Sequence, residues 1–196
     1  ANVVLYFRSI QNVVTFRQVS KHALCALRIL KTNPFLSDFG ISCREVLALF
    51  PNINTLCLAR ANHFIASNEI PDQITSIIIA HWDLGYDPLQ KYNFSDRVVE
   101  IKKIFATKSQ AQEIDLTSFH SLQRFSFKLT KCVFNFPQHK LKRIRVFGHD
   151  AVERVSRVDF TDFTESLQII EESSDSPRPL AAAPSDPHVR VFYGDI

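Results

Sequence analysis

The chain has 196 residues, of which 45% are hydrophobic and 22% are charged, and its formal net charge is +3. This length and balance are typical of one soluble domain with a substantial core, alone or with a small satellite. No apolar run approaches the roughly 20 residues that a membrane-spanning helix needs, and so small a net charge does not by itself indicate a nucleic-acid binder.

Residues 1–36 have the apolar spacing of short helices. Hydrophobic residues recur three, four and seven positions apart at Val19, Ala23, Leu24, Ala26, Leu27 and Leu30. Pro34 is a natural end to this region, because proline disfavours helix in the residue before it. We predict two or three short helices that form an N-terminal cap.

A short pattern recurs after the helical region: apolar, two variable residues, apolar, one variable residue, apolar. Clear copies begin at Ile53, Ile74, Leu122, Leu141 and Val155, and a weaker copy begins at Ile101. Repeats of about twenty residues with this pattern predict a solenoid, in which parallel strands stack and bury their apolar residues against their neighbours.

The segments between these copies complete the predicted architecture. Helical spacing at 42–50 and 95–101 predicts helical returns between the strands. Five phenylalanines are expected to stack between repeats: Phe119, Phe125, Phe127, Phe134 and Phe136. The predicted fold class is therefore α/β, an irregular solenoid of parallel strands with helical returns over 37–170.

Residues 171–196 are predicted to form a flexible acidic and proline-rich linker and tail. Acidic residues, serines and four prolines at 171–187 cannot bury enough apolar area to offset the entropy of ordering. Residues 188–193 then alternate like a strand that could pair with a sheet edge, and a disordered end is the alternative.

Residues 31–34 read K-T-N-P and residues 49–58 read LFPNINTLCL, and together these two stretches resemble the opening module of leucine-rich-repeat proteins of the type expanded in amoebic genomes. In that family a helical stretch ending in K-x-N-P, here at 31–34, precedes a repeat that reads LFPNIxTLxL, here at 49–58. Residues 4–10 and 13–21 also resemble the later helices of an F-box, although the leading Leu-Pro segment is missing. The resemblance implies a leucine-rich-repeat solenoid with an F-box-like helical cap at 1–36.

The repeats depart from the leucine-rich consensus at one position. The asparagine that normally follows the third apolar residue by three positions is replaced by Ala61, Trp82, Thr130 or His149. Only Thr130 and His149 can partly replace its hydrogen bonds to loop backbone, so we expect irregular curvature.

Strand alternation predicts which residues face solvent, on the concave side of such a solenoid. The third position of the repeats reads Thr55, Ser76, Lys103, Arg124, Arg143 and Arg157. The fifth reads Cys57, Ile78, Phe105, Ser126, Arg145 and Asp159. The later repeats therefore present a basic column, and 124–145 contains seven Lys or Arg residues and no acidic one.

Such a column is unfavourable for folding, since two like charges about 4.8 Å apart repel by roughly 1 kcal/mol even in water-like surroundings. We therefore predict an anion-binding surface. Its partner-binding residues are predicted to be Lys103, Arg124, Lys128, Arg143, Arg145 and Arg157. The alternative is a solvated face that is screened by salt or neutralised by nearby acidic residues.

No catalytic or metal-binding motif accompanies the scattered histidines, and four glycines form no phosphate-binding loop. We interpret His81 as a loop histidine. The four cysteines make no close pair of the kind that zinc requires, which predicts free thiols in a reducing compartment, the cytoplasm or nucleus. No catalytic residue, metal or cofactor is predicted.

These observations predict a non-catalytic protein–protein interaction module whose partner has an acidic or phosphorylated surface. The F-box resemblance implies a substrate receptor that recruits targets to a ubiquitin ligase through an adaptor protein. Two alternatives remain: a binder of nucleic acid or anionic lipid that uses the same basic face, and a regulatory subunit of an enzyme.

Overall fold

The computed structural model describes residues 2–61, 70–83, 94–105, 113–128, 133–148, 151, 160, 162–171 and 189–193. These residues form an α/β fold in which parallel strands are wound into a β-solenoid of about four turns, with few helices. Within the described part of the chain, no helix is long and apolar enough to cross a membrane.

The helices predicted for residues 1–36 are present. A 3-10 helix spans Asn2–Tyr6, and α-helices follow at Ile10–Val19 (α1) and Lys21–Arg28 (α2). The hydroxyls of Ser9 and Ser20 accept hydrogen bonds from backbone N–H groups three residues ahead, at 3.2 and 3.1 Å. Each serine therefore satisfies one of the N–H groups that the start of a helix leaves unpaired.

A third helix, α3 at Cys43–Leu49, lies within the predicted segment 42–50. Ser42 and Glu45 start it with a capping box, because each side chain accepts a hydrogen bond from the other residue's backbone N–H, at 3.2 and 2.9 Å. Val46 of this helix joins Val13 of α1 in the same buried core as the strands. The helical cap and the solenoid therefore share one core.

Seven strands form one parallel sheet. In spatial order they are β1 (Thr55–Arg60), β2 (Ser76–Asp83), β3 (Val98–Phe105), β5 (Arg124–Lys128), β7 (Arg143–Gly148), β8 (Leu167–Glu171) and β9 (Val189–Tyr193). Leu56 pairs with Ile77, and Leu58 pairs with Ile79, so the apolar positions of the first two repeats align as predicted. The prediction of stacked parallel strands is confirmed.

Two short strands form a second sheet in place of helical returns. Strands β4 (Glu113–Asp115) and β6 (Val133–Asn135) pair in parallel, with Ile114 beside Phe134. The segment 95–101 is also not an α-helix, because a 3-10 turn at Ser95–Arg97 leads directly into β3. The prediction of helical returns is therefore wrong at these three places, where β-branched and aromatic residues favour extended backbone.

Strand β3 departs from the regular register. Its buried residues recur every third position, at Val98, Ile101 and Ile104. Ile101 pairs with Ile79 on one side and Phe125 on the other, and the register shifts on both sides. The repeat predicted to begin at Ile101 is therefore misaligned, because the irregularities insert residues that no period in the sequence reveals.

The strand that follows β7 in the sheet is β8, and not the repeat predicted to begin at Val155. Thr164 takes the first apolar position of this unit, where it bridges to Leu141 and donates a hydrogen bond to its carbonyl at 3.0 Å. This bond offsets the cost of burying the hydroxyl. Residues 152–159 lie outside the described residues, and Phe160 is partly buried against the core.

Apolar side chains fill the position that the leucine-rich consensus gives to asparagine. Ala61 and Trp82 are both buried there. The Trp82 ring meets Phe119 edge-on, with ring centroids 5.8 Å apart. Core packing therefore takes the place of the asparagine's hydrogen bonds in these units, whereas Thr130 and His149 lie outside the described residues.

The phenylalanines pack between repeats as predicted. Phe134 of the second sheet lies between Phe125 and Phe127 of β5, with ring centroids 5.2 and 4.5 Å away. Phe136 stacks on Phe134 at 6.0 Å. These distances are typical of favourable aromatic pairs, so the rings join the two sheets through the core.

Asn33 closes the outer edge of β1. Its side-chain amide donates to the Cys57 carbonyl at 2.9 Å and accepts from the Cys57 N–H at 2.8 Å. The Lys31 carbonyl accepts from the N–H groups of Asn54 and Thr55 at 3.0 and 3.1 Å. One buried side chain thus pairs with backbone groups that would otherwise remain open at the edge of a sheet.

At the other end of the sheet, β9 pairs in parallel with β8 from Leu167 and Val189 to Glu171 and Tyr193. Of the two alternatives for 188–193, the structure therefore shows the paired strand. Residues 172–188 lie outside the described residues, and the linker predicted there stays a prediction.

Candidate interaction surface

The seven-stranded sheet has a buried face and a solvent-facing one. In β5, Phe125 and Phe127 are buried, whereas the residues that alternate with them, Arg124, Ser126 and Lys128, are partly exposed. This confirms the predicted alternation for the strand. We call the side of the sheet that carries Arg124 the polar face.

Arg124 and Arg143 are direct cross-strand neighbours on β5 and β7. Both lie on the polar face, as predicted for the third position of their repeats. Arg143 is exposed, and no side-chain hydrogen bond or ion pair of Arg143 is found within the described part of the chain. Its guanidinium is therefore accessible from solvent.

The residue opposite Arg124 on β3 is Glu100, and not Lys103. A guanidinium nitrogen of Arg124 lies 3.0 Å from a carboxylate oxygen of Glu100, and the two side chains are 37% and 20% exposed. The predicted basic column is therefore wrong on β3, because the extra residues of that strand move Lys103 along the sheet. Arg124 is already paired with an acid.

Arg145 has a neutral partner. It aligns with Ser126 on β5 and with Gln168 on β8. Two guanidinium nitrogens of Arg145 donate to the same Gln168 side-chain oxygen, at 3.2 and 3.0 Å. Because an amide carries no charge, these bonds hold the guanidinium in place and leave its positive charge uncompensated by Gln168.

Lys103 and Lys128 both lie near Phe147 of β7. The ammonium nitrogen of Lys103 is 4.9 Å from the centroid of the Phe147 ring, and Lys128 is the cross-strand neighbour of Phe147. A cation at this distance is attracted by the face of the ring. The predicted binding residue Arg157 lies outside the described residues, so its role stays a prediction.

The repeat pattern missed two basic residues, Arg60 and His81, which lie in one row with the predicted residue Lys103. Arg60 pairs with His81, and the pairing of Trp82 with Ile104 puts Lys103 next in the same row on β3. In the sequence, each of Arg60, His81 and Lys103 lies two positions after a buried apolar residue. The residue between the two also faces outward.

His81 is a strand residue, so its interpretation as a loop histidine is wrong. Burial lowers the pKa of His81, and the positive charges of Lys103, Arg60 and Arg8 lower it further. The three cations are therefore close enough to oppose another positive charge at the imidazole ring.

Two of the cysteines are buried free thiols, Cys43 and Cys57, and burial raises the pKa of both. Cys25 is free and exposed. Among the residues that the structure describes, no group of three His, Cys, Asp or Glu side chains is arranged to hold a metal ion.

No protein-family model matches the chain, and no curated protein or solved structure is significantly similar to it. A function therefore has to be argued from the fold and from the charges on the polar face.

Proposed function

We propose that this chain is a non-catalytic protein-interaction module of the leucine-rich-repeat type, whose polar face binds an acidic or phosphorylated surface of a partner. The pairing of Arg124 with Arg143 is the observation that carries this proposal. Like charges directly opposed on neighbouring strands destabilise a sheet. Arg124 is paired with Glu100, which leaves the exposed Arg143 guanidinium to bind carboxylates and phosphates, and a guanidinium contacts such groups with paired hydrogen bonds.

The positions of the arginines favour a partner with several acidic groups. Arg143 and Arg145 stand two residues apart on one strand, which separates their Cα atoms by roughly 7 Å, and Arg124 lies on the next strand about 4.8 Å away. All three are held on strands whose other face lies in the core. Because the strands fix the backbone positions of the three arginines, the backbone of the surface does not have to be ordered when the partner binds.

We further propose that the helical cap attaches the solenoid to a ubiquitin-ligase adaptor, as the F-box resemblance implies. Its helices resemble part of an F-box, and they leave apolar side chains in solvent at Val3, Tyr6 and Val19, which are 68%, 78% and 72% exposed. Exposed apolar residues on neighbouring helices favour contact with another protein.

Arg143→Glu tests the polar face. The new carboxylate lies beside Arg124, so the variant keeps its fold while the exposed charge at this position changes from positive to negative. Arg44→Glu is the matched control, because it makes the same change of net charge at an exposed position in the first turn of α3, where an acid is favourable.

The probe is an immobilised poly-glutamate peptide. We expect the wild type and Arg44→Glu to bind alike, and Arg143→Glu to bind about tenfold more weakly, which corresponds to about 1.4 kcal/mol. Equal binding by all three proteins would contradict the proposal.

The same proteins separate the alternatives. Poly-uridine RNA and phosphatidylserine vesicles replace the peptide, and salt is varied. If only RNA binds, with log affinity falling linearly with log salt, the chain is a nucleic-acid binder and the protein-interaction proposal is wrong. If only vesicles bind, the lipid alternative holds. Preference for the acidic peptide supports the proposal.

A further inference from the structure

The polar face continues beyond the predicted arginines onto the last two strands of the sheet. Arg145 on β7 aligns with Gln168 on β8, and Gln168 aligns with Arg190 on β9. Leu167 and Ile169 are buried on either side of the partly exposed Gln168, so Gln168 lies on the polar face. Arg190 is exposed at the same register position of the next strand. We call Arg145, Gln168 and Arg190 the Gln168 row.

Two positive charges flank one neutral side chain in this row. The Nε and Nη2 atoms of Arg145 donate to the Gln168 side-chain oxygen at 3.2 and 3.0 Å, so this guanidinium is turned toward β8. Arg190 lies on the other side of Gln168, one strand spacing of about 4.8 Å away. The long methylene stem of an arginine lets its guanidinium reach over a neighbouring strand. Both charges are therefore available to a group bound above Gln168.

The side chains of the Gln168 row offer a ligand donors and no acceptor. The Gln168 oxygen accepts two hydrogen bonds from Arg145, which use both of its lone pairs and leave the NH2 group, a donor. Arg145 keeps N–H groups that these bonds do not use, and a guanidinium contains no acceptor. Within the described part of the chain, no side-chain hydrogen bond or ion pair of Arg190 is found. The row therefore suits an anion that only accepts hydrogen bonds.

We propose that Arg145, Gln168 and Arg190 bind the phosphate group of a phosphorylated side chain on the protein partner. A phosphate monoester carries a charge near −2 and three acceptor oxygens, enough for two guanidinium groups and an amide at once. A carboxylate has a single charge and two oxygens, which one guanidinium already satisfies. The protein source of the phosphate rests on the proposed function, and free inorganic phosphate is the other source of the same chemistry.

Gln168 is the residue on which this preference depends. Its amide holds the Arg145 guanidinium in place without adding a charge. A glutamate at this position would have nearly the same shape, but its carboxylate would pair with Arg145 and repel a phosphate. The identity of this one side chain therefore separates a row that binds an anion from one that is already neutralised.

The first experiment uses the wild-type protein and three labelled peptides of one glycine-rich sequence. They carry phosphoserine, glutamate or serine at the same position, and binding is followed by fluorescence anisotropy at about pH 7.5, where the phosphate is a dianion. We expect the phosphoserine peptide to bind about tenfold more tightly than the glutamate peptide, and the serine peptide to bind most weakly. Equal binding of the phosphoserine and glutamate peptides overturns the proposal.

Arg190→Ala tests the residue that the row adds to the predicted surface. It should weaken binding of the phosphoserine peptide by about tenfold, whereas Arg17→Ala, which removes an exposed arginine on α1, should not. Both side chains are exposed, so urea midpoints equal to that of the wild type are expected and show that the variants fold. Unchanged binding by Arg190→Ala overturns the assignment.

Gln168→Glu separates loss of the site from loss of the fold. Binding of the phosphoserine peptide should fall by at least tenfold, while the urea midpoint stays at or above that of the wild type because the new carboxylate pairs with Arg145. Gln11→Glu is the matched control, at an exposed position in the first turn of α1 where an acid is favourable, and it should bind like the wild type. Wild-type binding by Gln168→Glu contradicts the proposal.

The phosphate site and the proposed function can fail separately. If Arg143→Glu leaves poly-glutamate binding unchanged while Arg190→Ala weakens phosphopeptide binding, the proposed function is wrong and the phosphate site stands. If poly-glutamate binding falls as expected while the phosphoserine peptide gains nothing over the glutamate peptide, only the phosphate site is wrong. Inorganic phosphate is added as a competitor. If it binds as tightly as the phosphoserine peptide, the row is a site for the free anion and the protein source is wrong.

Discussion

Glu100 and Arg124 form a hydrogen-bonded ion pair across β3 and β5, with 3.0 Å between carboxylate oxygen and guanidinium nitrogen. Arg124 is at the same time the cross-strand neighbour of Arg143. The carboxylate therefore offsets part of the repulsion between the two arginines. It also leaves Arg143 as the exposed charge of the pair.

Glu100→Gln should lower the free energy of unfolding by roughly 0.5–1 kcal/mol, because the two arginines then lack a partly buried counter-charge. It should also strengthen poly-glutamate binding, since a negative charge leaves the polar face. Asp72→Asn is the matched control: Asp72 pairs with Arg97 at 3.4 Å but is fully exposed, so little change is expected. Urea unfolding measures both, and an equal loss in the two variants would contradict the role given to Glu100.

Asn33→Ala should cost about 2–4 kcal/mol of stability, because the N–H and carbonyl of Cys57 then remain buried without their partners. Asn52→Ala removes an exposed amide that donates to the Arg28 carbonyl at 2.7 Å, and about 0.5–1 kcal/mol is expected. Chemical denaturation compares the two. Similar losses would show that the Asn33 amide does not close the sheet edge.

Val13→Ala should destabilise the whole solenoid by roughly 2 kcal/mol, from lost transfer free energy and a small cavity. Val13 is 0% exposed and belongs to the shared core, whereas Val19 on the same helix is 72% exposed. Val19→Ala is therefore expected to be near neutral. The sheet signal in circular dichroism is the readout; unfolding of helices alone, with the sheet transition unmoved, would mean that the cap is a separate module.

The folded-state pKa of His81 lies below its ordinary value of 6.5. The unfolded chain therefore binds more protons as pH falls below that value, so stability is fully present above it and is lost as pH falls through the folded-state pKa. His81→Gln removes this titration and should reduce the loss of stability between about pH 8 and pH 5. Urea unfolding across that range measures the slope. An unchanged slope would refute the effect, and His22→Gln on the exposed surface of α2 is the matched substitution.

The parallel sheet could be predicted where the repeat pattern is intact. In β1 and β2 the apolar triplets determine both which strands pair and which residues align, since each buried side chain needs a counterpart on the next strand. Thr164 shows where the pattern fails, because a buried hydroxyl with a hydrogen-bonded partner serves as an apolar residue does.

The binding surface could also be predicted only in part, because the repeat pattern fails on β3. Arg124, Arg143 and Arg145 follow from simple alternation, which β5 obeys throughout and β7 obeys from Arg143 to Val146. The pairing of Glu100 with Arg124 and the position of Lys103 beside His81 do not, because β3 buries every third residue and its register depends on packing against both neighbours. The residues of β3 alone do not show which residues of the neighbouring strands they pack against, so the register could not be predicted from them.

The two hydrogen bonds that the Asn33 amide makes to β1 both involve the main chain of Cys57. Every strand has a backbone N–H and a carbonyl at the position equivalent to Cys57, whatever its side chains are. A duplicated unit inserted behind β1 would therefore leave this closure untouched, so the molecule has a route to greater length that requires no redesign of its N-terminal end.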